Sequence, residues 1–399
     1  MNILIVSQYI DFPYENGNDR FCYIADMLVK AGHNVEIVTS DFVHTVKQHR
    51  EKKNIKKLSY SVSLLHELGY KRNISFSRIL SHQYLAKNAK IYLNNLPYMP
   101  DVIYCAVPSL SLAFNFAQFA KKNSIKFIID IQDLWPDAFR MVIDNRLIEK
   151  FIYKFMDQRA NYIYSNACKV CAVSKTYGER ALMVNSKVSE CVVVYLGTDI
   201  SIFDRNKNNV QPYITHVENE IWLGYCGTLG SSYDLRVVFD AIKLLNEHGI
   251  KNVKFIIMGN GPKTDEFAEY AKGKNINAIF TGRLSYDVMC ATLCECDIAI
   301  NPIVHNAAQS IINKHGDYAA AGIPVVSTQE NEEYRHLIEI YNMGFNCTNN
   351  DAYDLANKIE ILINDTDLRK EMGRNARKCA EEKFDRANSY KSLISAITG

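Results

Sequence analysis

The sequence predicts an α/β protein built from two domains, each with a doubly wound parallel sheet. Short apolar runs alternate with helical segments, as in parallel sheets whose strands are buried on both faces. The alternation stops in a polar stretch at 206–219 and starts again at Ile221. A last helical segment at 384–397 lies outside the second series. These observations predict two α/β domains and a separate C-terminal helix.

The first domain opens on an apolar strand at 2–7, followed by a polar turn and a helix at 21–31. The segment 102–120 has 19 residues without a charge, which is long enough to span a bilayer. Its Pro108–Ser109 turn divides it, and we predict a strand followed by a core helix. The predicted strands after the first are 34–39, 102–106, 126–131, 170–173 and 191–195.

The second domain repeats the pattern after a predicted linker at 203–220, where Asn-Lys-Asn-Asn and a proline occur. We therefore assign residues 1–203 and the helix 384–399 to the first domain, and 204–383 to the second. The predicted strands of the second domain are 221–226, 253–258, 278–281, 297–300 and 323–327.

The composition is that of a globular protein with packed cores. Of 399 residues, 48% are hydrophobic and 23% are charged, with a net charge of +2. This balance argues against wholesale disorder and against nucleic acid as a partner. The eleven cysteines are scattered and show neither a disulfide framework nor zinc-ligand spacing, so free thiols in a reducing cytoplasm are expected. Residues 1–7 lack the basic start of a secretory signal.

Glycine-containing loops follow several of the predicted strands, at the edge where open α/β sheets bind ligands. Without a Cβ, the backbone N–H groups of such loops can approach a phosphate closely. An ordinary β-to-α turn explains each loop taken alone about as well. The candidate ligand-binding residues in these loops are Gly17, Arg20, Gly227, Thr228, Gly230, Gly259, Gly282, Arg283 and Leu284.

Two further segments carry charged residues near predicted strand ends. In 309–326, Lys314 could neutralise a diphosphate, and Asp317 could accept hydrogen bonds from ribose hydroxyls. In the first domain, Asp133 follows the strand that ends near Asp130. Asp133 either caps a helix or orients a substrate and handles its proton.

These loops together resemble the retaining glycosyltransferases of family four, over nearly the whole chain. Asp-Leu-Trp-Pro at 133–136 is similar to a subgroup that builds bacterial O-antigen and capsule repeat units. The other motifs, in family order, are Val-Val-Tyr-Leu-Gly-Thr-Asp at 193–199, Gly-Thr-Leu-Gly at 227–230, Gly-Asn-Gly-Pro at 259–262, Phe-Thr-Gly-Arg-Leu-Ser at 280–285 and Asn-Lys-x-x-Asp-Tyr-Ala-Ala-Ala-Gly-Ile-Pro-Val-Val at 313–326.

The resemblance implies the GT-B architecture, with two Rossmann-like domains facing a central cleft and a C-terminal helix that returns to the first domain. It implies a nucleotide-sugar donor, expected to be UDP-linked, in the second domain. It implies a glycan or polyprenyl-diphosphate-linked acceptor in the first. The expected reaction is hexosyl or N-acetylhexosaminyl transfer with retention, without a metal ion or a separate cofactor, in surface polysaccharide biosynthesis.

The resemblance also assigns roles to residues. The Glu-x7-Glu pair of the family falls at 309 and 317, where this chain has Gln309 and Asp317. Gln309 would hold the donor sugar, and Lys314 would neutralise the leaving phosphate together with backbone groups of Ser310 and Ile311. Asp133 would orient the acceptor or remove its proton. The catalytic candidates are therefore Asp133, Gln309 and Lys314.

Two alternative functions and one question of location stay open. An epimerase of the same architecture would need acid and base groups around the donor sugar and no acceptor surface. Gln309 and Asp317 would also suit a non-catalytic nucleotide-sugar-binding protein. We expect a cytoplasmic protein. Its basic residues in 44–79 could contact an anionic inner leaflet, or they could form a solvated charged face.

Overall fold

The computed structural model describes residues 1–15, 19–51, 57–73, 75–136, 146–305, 307 and 311–399. The chain forms two compact units. Unit 1 comprises Met1–Val194 and Tyr390–Gly399, and unit 2 comprises Tyr195–Ser389. The chain therefore passes into unit 2 before the boundary expected after residue 203, and it returns to unit 1 after the boundary expected at 384.

Unit 1 contains a seven-stranded parallel sheet in the order β5-β2-β1-β6-β7-β8-β9. Its central strands are apolar and buried along almost their whole length, as expected where both faces of a sheet are covered. The strands are β1 (Asn2–Val6), β2 (Asn34–Ser40), β5 (Ser61–Leu65), β6 (Val102–Val107), β7 (Lys126–Ile131), β8 (Lys169–Ala172) and β9 (Cys191–Val193), with a small antiparallel pair of β3 (Phe42–Val43) and β4 (Gln48–His49).

The helices of unit 1 begin where short polar side chains accept hydrogen bonds from free backbone N–H groups. Asp19 Oδ1 accepts from Phe21 N at 2.7 Å, and Ser75 Oγ accepts from Arg78 N at 3.2 Å. The helices are α1 (Arg20–Lys30), α2 (Phe76–Asn94), α3 (Leu110–Lys122), α4 (Arg146–Asn166), α5 (Lys175–Leu182) and the C-terminal α15 (Lys391–Thr398), with a 3₁₀ turn at Pro13–Glu15.

Unit 2 contains a six-stranded parallel sheet in the order β12-β11-β10-β13-β14-β15. Its central strand β10 is buried from Trp222 to Cys226. The strands are β10 (Ile221–Cys226), β11 (Val253–Met258), β12 (Ala278–Gly282), β13 (Ile298–Asn301), β14 (Val325–Ser327) and β15 (Gly344–Asn346).

The helices of unit 2 alternate with these strands and continue beyond them. Asp365, from the Asp-Thr-Asp sequence at 365–367, accepts a hydrogen bond from Leu368 N at 2.8 Å and so caps a helix. The helices are α6 (Ile200–Asn209), α7 (Leu235–Glu247), α8 (Thr264–Gly273), α9 (Tyr286–Leu293), α10 (Asn313–Ala321), α11 (Glu332–Tyr341), α12 (Ala352–Asn364), α13 (Thr366–Cys379) and α14 (Arg386–Ser389), with a π turn at Ala380–Phe384.

The linker predicted at 203–220 is wrong in its first part, because α6 extends to Asn209. Ile200, Phe203 and Asn206 are buried at helical spacing, and Phe203 is packed in the core of unit 2. Apart from Ile202, the remaining positions of α6 are polar. A short helix with one narrow apolar face therefore has nearly the composition of a linker.

The C-terminal helix α15 packs in unit 1, as the family resemblance implied. Leu393 and Ile397 are fully buried in the same core as Phe21 and Ile24 of α1. The uncharged segment 102–120 divides into β6 and the start of α3, as predicted. Among the residues that the structure describes, no helix has both the length and the apolar character needed to cross a membrane.

Candidate functional site

Two glycine-containing loops touch at the carboxyl edge of the sheet in unit 2. They follow the neighbouring strands β10 and β11, so parallel pairing brings both loops to the same edge. Gly227 N donates to Met258 O at 3.0 Å. A Cβ on Gly259 would lie 1.8 Å from Gly227 O, closer than any real contact. The packing of the loops therefore requires Gly259 to be a glycine, and its predicted donor contact stays a prediction.

The loop after β10 has backbone N–H groups that no described residue accepts a hydrogen bond from. Thr228 is exposed, and the space beside the Gly230 backbone is open apart from Thr228 Cγ2 at 3.8 Å. Within the described chain, the N–H groups of Thr228 and Gly230 make no hydrogen bond. Tyr225 Oη donates to Thr228 O at 2.9 Å and fixes the carbonyl side of the loop. The loop can therefore offer N–H groups to an anion.

Lys314 lies in the first turn of α10 and is buried, with 6% of its surface exposed. Its Nζ has no hydrogen-bond partner among the residues that the structure describes. It lies 4.0 Å from the centre of the Tyr233 ring and 4.9 Å from that of Tyr225. Ring faces attract a cation but do not neutralise it. A buried ammonium group without a counter-ion is costly, and a bound anion would relieve that cost.

The protonation of Lys314 is sensitive to its surroundings for the same reason. Burial lowers the pKa of Lys314 to about 7, and the Cys226 side chain opposes this shift only in part. The ammonium form therefore loses its proton near neutral pH in the free protein. An anion beside Nζ would restore an ordinary, high pKa, because opposite charges favour the ionised form.

Asp317 lies one turn further along α10 and is also buried. Its Oδ1 accepts hydrogen bonds from Thr198 Oγ1 at 2.8 Å and from Tyr286 Oη at 3.0 Å. Burial raises its pKa, and these two bonds oppose the rise. The two donors fix the orientation of the carboxyl group. The predicted contact of Asp317 with ribose hydroxyls stays a prediction.

A buried polar network under Lys314 was not found from the sequence. Asn301 Nδ2 donates to Ser327 Oγ and Gln329 Oε1, both at 3.0 Å, and lies 3.2 Å from His315 Nε2. Ile312 N donates to His315 Nδ1 at 2.8 Å. Burial lowers the pKa of His315 well below its usual value, so the imidazole is neutral. The network ties the start of α10 to the ends of β13 and β14. The sequence signal for this network was a polar residue at the end of each strand, Asn301 in β13 and Ser327 in β14.

The three predicted site residues at the end of β12 and just after it have different environments. Gly282 has a φ of 71°, in the left-handed region that favours glycine. The Arg283 side chain is exposed and makes no hydrogen bond or ion pair with the described residues, so its charge is available. Leu284 is partly buried against the core of unit 2. The donor contacts predicted for these three residues are neither supported nor contradicted by this arrangement.

The structure contradicts the prediction that Arg20 binds phosphate. Its guanidinium is buried in unit 1, where Nε lies 2.8 Å from Asp130 Oδ2 and Nη2 lies 3.3 Å from Asp130 Oδ1. Nη1 donates to Val194 O at 2.9 Å, and Tyr104 Oη donates to Asp130 Oδ2 at 2.7 Å. This ion pair already neutralises the positive charge inside the protein.

Asp133 follows β7 in unit 1 and is partly buried. Its Oδ1 accepts from Leu134 N at 2.9 Å, and its Oδ2 accepts from Trp135 Nε1 at 3.2 Å. Burial raises its pKa, although both hydrogen bonds oppose the shift. A carboxyl group with a raised pKa at a strand end suits proton handling. Its predicted role toward an acceptor stays a prediction.

Three of the predicted site residues, Gly17, Gln309 and Ser310, lie outside the described residues. The Ile311 side chain is fully buried in the core of unit 2. Any contact of Ile311 with a ligand would therefore be through its backbone, as the sequence analysis proposed.

The basic residues in 44–79 face solvent only in part. Arg50 is buried and forms an ion pair with Glu15, and Lys47 lies 5.0 Å from the centre of the Tyr70 ring. Residues 52–56 lie outside the described chain. The described part of the stretch therefore offers fewer solvent-facing cations than its composition indicated.

In the described chain, one group of side chains has the composition of a metal site. Asp41 Oδ1 lies 3.2 Å from His49 Nδ1, and Asp41 Oδ2 lies 2.8 Å from His66 Nδ1. Both histidines are exposed, and ordinary hydrogen bonds to the carboxylate account for the arrangement. This group lies in unit 1, whereas the Lys314 site lies in unit 2.

Comparisons with known proteins relate part of unit 2 to a family of glycosyltransferases. Residues 206–379 match the family model described as glycosyl transferases group 1. This segment falls within unit 2 and includes the loop at 227–230, Arg283 and Lys314. It is therefore the part of the chain with the clearest relation to a known family.

Two distant relatives agree with this match. An uncharacterized glycosyltransferase of Methanocaldococcus jannaschii is 24% identical over 268 residues, which cover 67% of this chain and 66% of the relative. The capsular polysaccharide biosynthesis glycosyltransferase CapM of Staphylococcus aureus is 22% identical over 380 residues, which cover 93% of this chain and 91% of CapM.

The fold of the whole chain is similar to that of Anabaena HepE, whose crystal structure is a complex with UDP-glucose. The TM-score is 0.68 at 16% identity, and the match covers 100% of this chain and 99% of HepE. The chain therefore has the GT-B fold of two Rossmann-like units. Together, the comparisons support a glycosyltransferase.

Proposed function

We propose that this protein transfers a hexosyl or N-acetylhexosaminyl group from a UDP-sugar to a glycan or polyprenyl-diphosphate-linked acceptor in the synthesis of a surface polysaccharide. The anomeric configuration is retained, and no metal ion is needed. The donor binds in unit 2 and the acceptor in unit 1. The names of the relatives support the polysaccharide context, and UDP-glucose in HepE supports the choice of UDP.

The observation that carries this proposal is the unpaired ammonium group of Lys314. It is buried at the carboxyl edge of the sheet, on tyrosine rings, and no described residue supplies it with an anion. The N–H groups of Thr228 and Gly230 are unoccupied in the loop after β10, the strand that carries Tyr225. Arg283, after β12, is an additional available cation. A diphosphate satisfies both kinds of group, since it carries negative charge and several acceptor oxygens.

The chemistry follows from stabilising the leaving group. As the bond from the anomeric carbon to the diphosphate breaks, negative charge grows on the diphosphate oxygen and positive charge on the sugar ring. Lys314 and the loop N–H groups are fixed in advance, so they stabilise the growing charge without reorganising. Asp317, oriented by Thr198 and Tyr286, would hold the ribose.

The acceptor hydroxyl must lose its proton when the new glycosidic bond forms. In this proposal Asp133 orients that hydroxyl or receives its proton, because burial has already raised the pKa of the carboxyl group. Gln309 would hold the donor sugar, and the backbone groups of Ser310 and Ile311 would contact the diphosphate. Retention requires no covalent intermediate in this scheme.

Calorimetric titration with UDP-glucose tests the donor site. We expect wild-type protein to bind UDP-glucose more tightly than GDP-mannose or ADP-glucose, and Lys314→Met to weaken this binding at least tenfold. Lys251→Met is the matched control, because Lys251 is exposed in the same unit. No binding of any nucleotide sugar, or equal binding by both variants, would contradict the assignment.

Product analysis separates the three candidate functions. A glycosyltransferase releases UDP only when an acceptor is present, and the release continues in EDTA if the reaction is metal-independent. An epimerase converts the donor sugar without an acceptor. A binding protein shows affinity without turnover across an acceptor panel. The presence or absence of the acceptor therefore distinguishes these functions under otherwise identical conditions.

We also propose that unit 1 contacts the inner face of the cytoplasmic membrane through the start of α2. Phe76 is 72% exposed, Ile79 is 52% exposed and Leu80 is 47% exposed. Lys71 and Arg72, just before the helix, are exposed as well. Apolar side chains beside basic ones suit an anionic lipid surface.

Sedimentation with phosphatidylglycerol vesicles tests this contact. We expect the double variant Phe76→Ser, Ile79→Ser to bind at least tenfold more weakly than wild type. Met183→Ser is the control, since Met183 is 80% exposed in the same unit. Equal vesicle binding by the double variant and the control would exclude the proposed surface. Vesicle binding that does not depend on lipid charge would exclude it as well.

A further inference from the structure

Arg78 in unit 1 is held against aromatic rings at the start of α2. Its guanidinium carbon lies 5.1 Å from the Trp135 ring centre, 5.4 Å from that of Tyr70 and 6.0 Å from that of Tyr9. Nη2 donates to Tyr9 Oη at 2.9 Å, and Nη1 donates to Asn73 O at 2.7 Å. We call Tyr9, Tyr70, Arg78, His82 and Trp135 the Arg78 cluster.

Among the described residues, the guanidinium of Arg78 has no negatively charged partner. Both of its hydrogen bonds there go to neutral oxygens, and its Nε is buried without a hydrogen-bond partner in that part of the chain. The buried Arg20 in the same unit is paired with Asp130 instead. Arg78 therefore keeps a directed donor and an uncompensated charge inside a ring-lined environment, where a charge is weakly screened.

The neighbours of Arg78 do not supply the missing negative charge. His82 Nε2 lies 3.2 Å from Tyr9 Oη, and His44 Nδ1 lies 2.6 Å from Tyr70 Oη. Burial, together with the charges of Lys47 and Arg78, lowers the pKa of His44 to about 4. Burial, together with Arg78 and His44, lowers the pKa of His82 to about 3, so both imidazoles are neutral. Lys47 Nζ, 3.1 Å from His44 Nδ1, is a second cation.

Two carboxyl groups of the described residues, Glu67 and Asp133, lie near the cluster, and both are already engaged. Glu67 is buried, and its two oxygens accept from Gln8 Nε2 at 3.0 Å, from Ser40 Oγ at 2.6 Å and from Ser81 Oγ at 2.8 Å. It makes no ion pair with Arg78 or Lys47. Asp133, which contacts Trp135, makes no ion pair with Arg78 either, so neither of these carboxyl groups neutralises the guanidinium directly.

The cluster lies among the carboxyl ends of strands in unit 1. Tyr9 follows β1, Tyr70 follows β5 and Trp135 follows β7. Trp135 Nε1 donates to Asp133, the residue proposed to act on the acceptor. A ligand that contacts Trp135 would therefore be close to the Asp133 carboxyl group.

We propose that the Arg78 cluster binds an anionic group of the acceptor, either a sugar carboxylate or a phosphate. Arg78 Nε and the guanidinium charge recognise the oxyanion, and the aromatic rings supply apolar faces for the adjoining sugar. Neutral His82 can contact the ligand without adding a further charge. This inference rests on the proposed function, because the anion is taken to be part of the acceptor substrate.

Binding of small acceptor fragments tests the proposal. Methyl β-glucuronide, methyl β-glucoside and glucose 1-phosphate are titrated into the full-length protein and followed by ligand-observed NMR. We expect wild type to prefer at least one charged sugar over methyl β-glucoside by tenfold or more, and Arg78→Gln to lose this preference. The charged sugar that is preferred shows whether the group is a carboxylate or a phosphate.

Arg159→Gln is the matched control, because Arg159 also lies over aromatic rings in unit 1, 4.2 Å from the Phe155 ring centre. It should keep the preference for a charged sugar. Arg78→Lys, which retains the positive charge but lacks Nε as a donor, should keep part of the preference. If Arg78→Gln does not fold, Arg78→Lys still tests the proposal.

UDP-glucose binding is measured on the same variants, so that failure of this inference is distinguishable from failure of the donor site. We expect Arg78→Gln to bind UDP-glucose as wild type does. Equal affinity of wild type for charged and neutral sugars, the same preference in Arg78→Gln, or no detectable binding of all three fragments would overturn the proposal.

Discussion

Arg20 in unit 1 and Lys314 in unit 2 are both buried cations in the first turn of a helix. Arg20 is the first residue of α1, which follows the loop after β1. Lys314 is the second residue of α10, which follows the loop after β13. The sequence predicts a phosphate ligand in both cases. Arg20 is nevertheless paired with Asp130, which is completely buried, whereas Lys314 lies against tyrosine rings and has no carboxylate partner among the described residues.

The difference shows that the partner, and not the burial or the position, determines what a buried charge does. A cation with its own carboxylate contributes to the stability of the fold and has no charge left for a ligand. A cation without one destabilises the free protein and gains from an anionic ligand. We therefore expect substitution by methionine to change the unfolding free energy in opposite directions at the two positions.

The largest effect is expected for Arg20→Met. Removing the guanidinium leaves the Asp130 carboxylate buried without its cation, which costs about 3–5 kcal/mol of unfolding free energy. Denaturant unfolding measures this loss. Adding Asp130→Asn should recover part of it, because the unpaired charge is then gone. A variant with full stability but no affinity for UDP-glucose would contradict the structural role of Arg20.

The second largest effect has the opposite sign. Lys314→Met removes a buried cation without a counter-ion, and an apolar side chain on the two tyrosine rings should stabilise the ligand-free protein by about 1–4 kcal/mol. The gain should be larger at pH 6 than at pH 9, since the folded protein resists protonation of Lys314 and the unfolded chain does not. Denaturant unfolding at both pH values measures it, and Lys251→Met should show no change. Destabilisation by Lys314→Met would show that the ammonium group has a partner in the protein.

The sequence was sufficient for the elements whose pattern is local. The strands at 126–131, 221–226 and 253–258 have the predicted bounds, because each is a mostly apolar run between polar turns. The strands β5 and β15 and the helix α2 were not predicted. In β5 only Leu65 is buried, and the apolar residues of α2 include several that face solvent, so neither has a clear core-facing pattern.

The candidate site was predictable only as a set of residue types. Lys314 and Asp317 were identified by their spacing in a motif, but the tyrosines beside Lys314 come from β10 and the following loop, far away in the sequence. The pairing of Arg20 with Asp130 joins residues 110 positions apart. Gly259 was assigned to ligand binding, whereas its contact with Gly227 depends on strand register. Partners brought together by the sheet cannot be read from either segment alone.

A charge-conserving change distinguishes the ion pair of Arg20 from a nonspecific positive charge. Arg20→Lys keeps the charge but cannot bind both Asp130 oxygens and Val194 O at once. Loss of a hydrogen bond to a charged group is worth about 1.5–3 kcal/mol, and we expect a destabilisation of that size by denaturant unfolding. If Arg20→Lys proves as unstable as Arg20→Met, the positive charge itself contributes little.

The smallest effect expected is the pH dependence of donor binding. Burial lowers the pKa of Lys314 to about 7, so the free protein carries the ammonium form below pH 7 and loses it above. The diphosphate of UDP-glucose does not titrate in this range and binds the ammonium form. Its affinity should therefore fall roughly tenfold, or about 1.4 kcal/mol, between pH 6.5 and pH 8. His315 stays neutral throughout, because its pKa lies well below its usual value.

Calorimetric titration of UDP-glucose at several pH values measures this dependence. Lys251→Met should reproduce the wild-type profile, and Lys314→Gln should give a weak, flat one. Arg20 cannot produce such a profile. Burial lowers its pKa, but Asp130, Tyr390 and Tyr104 together raise the pKa far above this range. A profile in wild type that is flat, or that rises with pH, would mean that the charge of Lys314 does not contact the donor. The diphosphate would then have to be neutralised by another cation, and exposed Arg283 would be the first to test.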